Sequence, residues 1–298
     1  MATGPQLELL HAAVRMAIPL AAAILAASPA NAGSGEKGRG RGGSGDAARV
    51  IRCEGEYPYH LQGVATDGES IFWSFTTTLV KTDRQGRLLA KVEKRRQDGH
   101  MGDLCCRGGK VFVATGKSQK EGSKLVKLGY EVCEYDAGTL ELLASHPTLE
   151  MVWGNNGIEF FDGSFWCVSG APRHFPYNMV VRYTEDFRFV QTLMVESGWT
   201  NCGVQTICRH GDKMLFGCYG DRKDAESPHG DCTFVVDCEK LAAAQWRSPV
   251  PCERRVEKRT SEGMLVLDGT LMEAHGKRLS KMGEAPARWA AQLSPIEL

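Results

Sequence analysis

The stretch HLQGVATDGESIFWS, residues 60–74, opens with a polar cluster, turns apolar, breaks at Asp67-Gly68 and resumes as an aromatic and β-branched run. This pattern predicts two antiparallel strands joined by a tight turn. Residues 100–114, HMGDLCCRGGKVFVA, repeat it, and further copies lie at residues 154–169, 203–218 and 260–274. Equivalent positions are 40, 54, 49 and 57 residues apart, which is typical of propeller blades; they are Gln62, Gly102, Asn156, Gln205 and Glu262.

A second pattern follows each of the first four copies, at residues 79–92, 132–145, 180–193 and 234–247. Each predicts a strand, a turn and a strand, and the last can instead hold a helical turn. Four units therefore have four strands each, named A to D in chain order. The fifth copy has only residues 276–282 left for a third strand, whereas residues 48–54, ARVIRCE, form an orphan strand ahead of the first copy.

The orphan strand completes the last unit, because a closed ring leaves no incomplete blade with an open edge. The sequence thus predicts an all-β protein, a five-bladed β-propeller over residues 48–283 whose last blade is completed by the N-terminal strand. Residues 284–298 are predicted to be a C-terminal tail.

These repeats resemble the secreted bacterial β-propellers of the broad YVTN-repeat and SMP-30-like group. The resemblance lies in the blades and covers almost all of the predicted mature chain. It implies a propeller but assigns no catalytic residue, because propellers support many unrelated functions.

The N-terminal segment has the features of an export signal. Residues 16–27 are apolar, Arg15 precedes them, and Ala30-Asn31-Ala32 fits a signal-peptidase site. The apolar run is too short to span a bilayer, which needs about 20 residues. We expect residues 1–32 to be a signal peptide, residues 33–47 a disordered linker, and the protein to be periplasmic or extracellular.

Composition limits the partners. Lys plus Arg and Asp plus Glu both number 36, so bulk charge predicts neither nucleic acid nor an anionic membrane as a partner. The 11 cysteines include no CxxC pair, and most lie in apolar runs as expected for small buried side chains. We expect a monomer without a transmembrane segment.

The aligned column predicts a polar ring at one mouth of the channel, because strand A is the innermost strand of a blade. His60 and His100 stand two residues before Gln62 and Gly102, on the same side of an extended chain. The ring can be the hydrophilic lining of a water-filled channel. It can also be a binding site, since the predicted B–C loops on the same face are long: residues 115–129, 170–178 and 219–231.

The residue types leave several chemistries open. Glycoside hydrolysis is disfavoured because the column holds one carboxylate, Glu262, while Asp103 is out of register and Glu159 lies deeper. A uronate lyase needs a base and groups that neutralise an enolate; the candidate catalytic residues are His60, His100, Tyr59 and Arg173.

A divalent metal, Mn, Zn or Ca, is a narrower possibility. Two imidazoles and a carboxylate suit Mn²⁺, Fe²⁺ or Zn²⁺, and the proposed ligands are His60, His100 and Glu262. The acidic loop GDRKDAESPHGD, residues 220–231, is a weaker calcium candidate.

The alternative is a non-enzymatic, lectin-like or protein-interaction propeller, in which aromatic faces stack on a sugar and amides bond its hydroxyls. Together these observations predict an exported propeller that binds a saccharide or another small polar ligand at the axial mouth. The predicted ligand-binding residues are Gln62, Asp103, Trp153, Asn156, Trp199, Gln205 and Glu262.

Overall fold

The computed structural model describes residues 49–95, 99–121, 124–170, 172, 175–198, 200–219, 231–258, 260–281 and 283–298. The predicted signal segment and linker lie outside these residues. The N-terminal strand is β1 (Ile51–Pro58). Blade one follows as β2 (Leu61–Thr66), β3 (Ser70–Phe75), β4 (Thr78–Asp83) and β5 (Leu88–Glu93), and blade two as β6 (His100–Arg107), β7 (Lys110–Glu121), β8 (Lys124–Asp136) and β9 (Leu142–Pro147).

Blade three contains β10 (Gly157–Phe161), β11 (Ser164–Val168), β12 (Asn178–Thr184) and β13 (Phe189–Glu196). Blade four contains β14 (Asn201–His210), β15 (Lys213–Tyr219) and β16 (Cys232–Asp237), followed by helix α1 (Cys238–Ala243), strand β17 (Val250–Pro251) and the outer strand β18 (Arg254–Val256). Blade five contains β19 (Met264–Leu267), β20 (Thr270–Arg278) and β21 (Arg288–Pro295), and β1 is its outer strand.

The described residues form five sheets whose innermost strands contact one another in the order β2, β6, β10, β14, β19 and back to β2. β1 pairs antiparallel with β21 and not with a strand of blade one. The five-bladed propeller, closed by the N-terminal strand, is therefore confirmed.

Two details of the sequence prediction are wrong. The third strand of blade five is β21, which lies within the predicted tail and pairs with both β20 and β1. Its Leu293 is fully buried, so this segment is part of the core. In blade four, the chain after β16 forms α1, as the alternative allowed, because Asp237 caps the N–H of Lys240. The outer strand there is β18, and β17 instead extends blade three in parallel with β13.

The hydrophobic core is divided into five clusters, and each lies between two neighbouring blades. Blades five and one share a cluster around Trp73 and Leu293, and blades three and four share one around Trp166 and Phe234. Full burial of one such large side chain contributes about 1.5–3 kcal/mol. The ring thus depends on every pair of blades, including the one completed by β1 and β21.

Within the described residues, no helix is long and apolar enough to cross a membrane.

Candidate functional site

The innermost strands have polar backbone groups along the axis that the sheets leave unpaired. Each inner strand has one edge with no further strand beside it, and its buried N–H and C=O groups need other partners. Polar side chains in the aligned column and next to it supply many of them.

Asp103 is the central example. It is fully buried, and its Oδ1 accepts the N–H of Val64 in blade one at 3.2 Å while its Oδ2 accepts the N–H of Ile207 in blade four at 3.0 Å. Its own N–H donates to the carbonyl of Asn156 in blade three at 2.7 Å. Burial raises the pKa of Asp103 well above its usual range, although hydrogen bonds from the N–H groups of Ile207, Leu104 and Val64 oppose the rise. Asp103, a predicted ligand contact, is buried here as a link between four blades.

Three other polar side chains link neighbouring blades in the same way. Asn156 Nδ2 donates to the Val204 carbonyl at 2.8 Å, from blade three to blade four. Thr206 Oγ1 donates to the Thr260 carbonyl at 2.7 Å, and Ser74 Oγ donates to the Gly102 carbonyl at 2.6 Å. Many of the polar side chains near the axis therefore form hydrogen bonds with backbone groups.

A different cluster lies where blades one, two and five meet at the mouth. The Gln62 amide nitrogen contacts His60 Nε2 and donates to Thr76 Oγ1 at 3.4 Å. The His60 ring centroid lies 6.5 Å from that of His100 and 5.9 Å from that of Trp289. Both imidazoles and the Trp289 side chain are partly exposed, whereas Gln62 is buried.

Backbone contacts position this cluster. The N–H of Thr76 donates to the His60 carbonyl at 3.1 Å, and the N–H of Met101 donates to the Thr76 carbonyl at 3.0 Å. These bonds hold the first residues of β2 and β6 at one level. Tyr59 has a positive φ of 65°, and its N–H donates to the Ala287 carbonyl at 2.7 Å. The start of blade one is thereby tied to the segment that precedes Trp289.

Sequence reasoning missed Trp289 because it assigned residues 284–298 to a tail. A tryptophan within an alternating segment, RWAAQLSP, is the signal that could have found it.

The predicted metal set is not assembled. Across the described residues, no three His, Cys, Asp or Glu side chains form a group that could hold a metal ion. His60 and His100 are neighbours, but Glu262 is almost fully buried and its Oε2 accepts the N–H of Gly276 at 2.6 Å. The Glu262 carboxylate, which the predicted metal site requires, is thus hydrogen-bonded to the backbone of blade five.

The remaining predicted residues are dispersed. Gln205 is partly buried, and its amide donates to the Cys202 carbonyl at 2.9 Å within its own segment. Trp153 is 56% exposed ahead of β10. Arg173, Trp199 and most of the acidic loop at residues 220–231 lie outside the described residues.

A cavity lies at the end of the inner strands opposite the mouth. It has a volume of about 140 Å³ and is lined by the last residues of the inner strands, among them Thr66, Cys106, Glu159, Arg209 and Val266. Glu159 Oε1 accepts the N–H of Phe160 at 2.8 Å and its Oε2 accepts the N–H of Arg209 at 3.1 Å. Burial raises the pKa of Glu159 to about 7, although these hydrogen bonds oppose the rise.

The chain is thus a five-bladed propeller with an imidazole and amide cluster at one end of its axis. No family model matches the sequence and no curated protein matches it, so the resemblance to the YVTN-repeat and SMP-30-like group stays a prediction.

Solved structures with a similar fold include the Bacteroides ovatus xyloglucan PUL GH43B, with a TM-score of 0.57, 12% identity, and 84% of this chain and 54% of that chain covered. CoXyl43, a GH43 beta-xylosidase/alpha-arabinofuranosidase from a compost microbial metagenome solved with xylotriose, has a TM-score of 0.55 and 10% identity over 81% of this chain and 92% of that one. A GH43_1 enzyme from Xanthomonas citri has a TM-score of 0.54 and 11% identity over 81% and 88%. At such low identity the similarity establishes the fold alone.

Proposed function

We propose that this protein binds a polar, carbohydrate-derived ligand at the axial mouth, with His60, Gln62 and His100 as the polar contacts and Trp289 as the stacking surface. The observation that carries the proposal is the grouping of two neighbouring, partly exposed imidazoles, one of which contacts a buried amide. By contrast, the side chains of Asp103 and Asn156 are hydrogen-bonded to backbone groups.

The ligand class follows from the chemistry of this cluster. An imidazole and an amide each offer a donor and an acceptor, which is what neighbouring sugar hydroxyls require. An indole beside them provides an apolar face for a pyranose ring. Tyr59, which directly precedes His60 in the chain, adds aromatic surface to the same proposal. The xylotriose in the CoXyl43 title makes xylo-oligosaccharides a sensible first probe.

Glycoside hydrolysis is a weaker proposal than binding. It requires two carboxyl groups that face one glycosidic bond about 5–10 Å apart. Asp103 is fully buried, Glu262 accepts a backbone N–H, and Glu159 lines the cavity at the opposite end. This distribution supports a binding protein over a hydrolase that works through paired acids.

A second candidate is eliminative cleavage of a uronate polymer, favoured by the two neighbouring imidazoles. In that reaction His60 or His100 takes the proton from the carbon beside the uronate carboxylate. The electron pair forms the new carbon–carbon double bond as the glycosidic C–O bond breaks, and the leaving oxygen takes a proton from the imidazolium or from water. We propose Arg173, a predicted catalytic residue, as the cation that neutralises the developing enolate.

Calorimetric titration of xylo-oligosaccharides and uronate oligomers into the wild type, His60→Ala and His100→Ala tests the proposal. Loss of one hydrogen bond to the ligand should weaken binding about tenfold. His210→Ala is the matched control, because this exposed imidazole lies at the far end of β14. Ultraviolet absorbance of an unsaturated product would identify the lyase. Wild type that binds no saccharide, or an equal loss in His210→Ala, would refute the proposed site.

A further inference from the structure

Two cysteines face each other across blade four. Cys218 in β15 and Cys232 in β16 are directly opposite in the antiparallel register. Directly opposed residues in such a pair have Cα atoms about 4.5–5.5 Å apart, within the range that a disulfide bridges. Both side chains are fully buried in the cluster between blades three and four, on one face of the sheet.

An arginine makes the pair chemically unequal. Arg255 Nη2, from β18, donates to Cys232 Sγ at 3.0 Å, and the guanidinium carbon lies 4.9 Å from the centre of the Phe234 ring. The hydrogen bond from Cys218, together with the charge of Arg255, lowers the pKa of Cys232 although burial opposes it. Burial instead raises the pKa of Cys218 well above its usual range. Cys232 therefore has the thiolate character of an attacking sulfur, and Cys218 is placed to resolve the product.

We propose that Cys218 and Cys232 are a redox modification site that forms a cross-strand disulfide by exchange with a disulfide donor such as oxidised glutathione. When blade four opens locally and exposes the buried pair, the Cys232 thiolate attacks one sulfur of the donor, whose S–S bond breaks and releases one glutathione thiolate. Cys218 then attacks the Cys232 sulfur, and its proton passes to the glutathione thiolate that leaves as the second glutathione. Two electrons pass from the protein to the donor, and both glutathiones leave reduced.

The bridge would fasten the base of one connection on the mouth face. It would enclose the 13 residues from 219 to 231, which join strands B and C of blade four. Closing a loop of about this length stabilises a protein mainly by restricting its unfolded chain, so the melting temperature should rise by roughly 5 °C. The predicted export of the protein would deliver it to an oxidising compartment, where such bonds persist.

Peptide mapping by mass spectrometry tests the site directly. The whole protein is equilibrated with oxidised or reduced glutathione, blocked with an alkylating agent and digested with trypsin. Cleavage after Lys213, Arg222, Lys223 and Lys240 separates Cys218, on residues 214–222, from Cys232, on residues 224–240. We expect these peptides to be joined after oxidation, with a loss of two hydrogens, and fragmentation to place the bond on Cys232 and not on Cys238.

Matched variants control for general thiol reactivity. Cys208 is also buried in blade four but faces Leu215 across the strands, so Cys208→Ser should leave the bridge unchanged. Cys232→Ala should leave Cys218 alkylated and unbridged, and Arg255→Met should slow bridge formation severalfold because the thiolate loses its partner. A pair that stays reduced in oxidised glutathione, a bridge from Cys232 to Cys252, or a stable mixed disulfide on Cys232 would each overturn the proposal.

Discussion

Replacing Asp103 with Asn tests whether one buried carboxylate holds the inner strands together. In the native protein its two oxygens accept different N–H groups, those of Val64 and Ile207. Asn keeps one side-chain oxygen but has an NH₂ group in place of the other. That NH₂ group is a donor, and it would face a backbone N–H, which is also a donor. One buried N–H then loses its partner, which costs about 1–3 kcal/mol. We expect Asp103→Asn to lower the free energy of unfolding by about 2 kcal/mol, and the melting temperature by roughly 4–8 °C.

Asp67→Asn is the matched control, because the same chemical change should there be harmless. Asp67 lies in the exposed turn between β2 and β3, and a single oxygen, Oδ1, accepts the N–H groups of both Glu69 and Ser70. The amide oxygen of Asn can accept both bonds, so the stability should change by no more than about 0.5 kcal/mol. Urea denaturation followed by circular dichroism measures both variants. Equal stability of the two would refute the role of Asp103 as a link between blades.

Three further predictions concern the packing of the blades and the cavity that Glu159 lines. Gly63→Ala should destabilise the protein by several kcal/mol, because the added Cβ would lie 2.2 Å from Asp103 Oδ1. Gly116→Ala is its control in thermal melting, because a Cβ there would make an ordinary contact at 3.7 Å. Leu293→Ala should cost about 2–5 kcal/mol, and the exposed Leu89→Ala less than about 0.5, when both are measured by urea denaturation. Because burial raises the pKa of Glu159 from 4.5 to about 7, the stability that its protonated form confers should be lost as pH rises through about 7. Glu159→Gln should lack that decline in urea denaturation at about pH 5 and about pH 8, and a parallel decline would contradict the assignment.

The repeat pattern predicted the fold because each blade encodes its own strands locally. Alternation and the Asp-Gly turn in residues 60–74 specify a hairpin without reference to the rest of the chain. Closure by the N-terminal strand followed from counting strands. The position of β21 did not follow, since the segment between β20 and β21 is longer than a hairpin turn and the blade repeat weakens there. The outer strand β18 was missed for a similar reason, because α1 and β17 intervene.

The candidate site was predicted less well than the fold. Alignment found the column, and His60, Gln62 and His100 do lie together. It could not tell which polar atoms the backbone would use, because an unpaired strand edge is a property of the closed ring and not of any one repeat. Asp103 was thus taken for a ligand contact and Glu262 for a metal ligand, whereas both accept backbone N–H groups. Trp289 entered the cluster only through the pairing of β21 with β1.

The polar residues near the axis form two groups. Replacing a member of the first group tests folding, and replacing a member of the second tests binding. Asp103 is buried with both oxygens bonded to inner-strand N–H groups, so a change there should alter stability first and binding only as a consequence. His60 and His100 keep exposed surface at the mouth, so their replacement by Ala should cost little stability. A saccharide that loses affinity for His60→Ala and His100→Ala at unchanged melting temperature would therefore be bound by the cluster itself. Loss of affinity that tracks melting temperature across all three variants would mean that the whole axial column is structural.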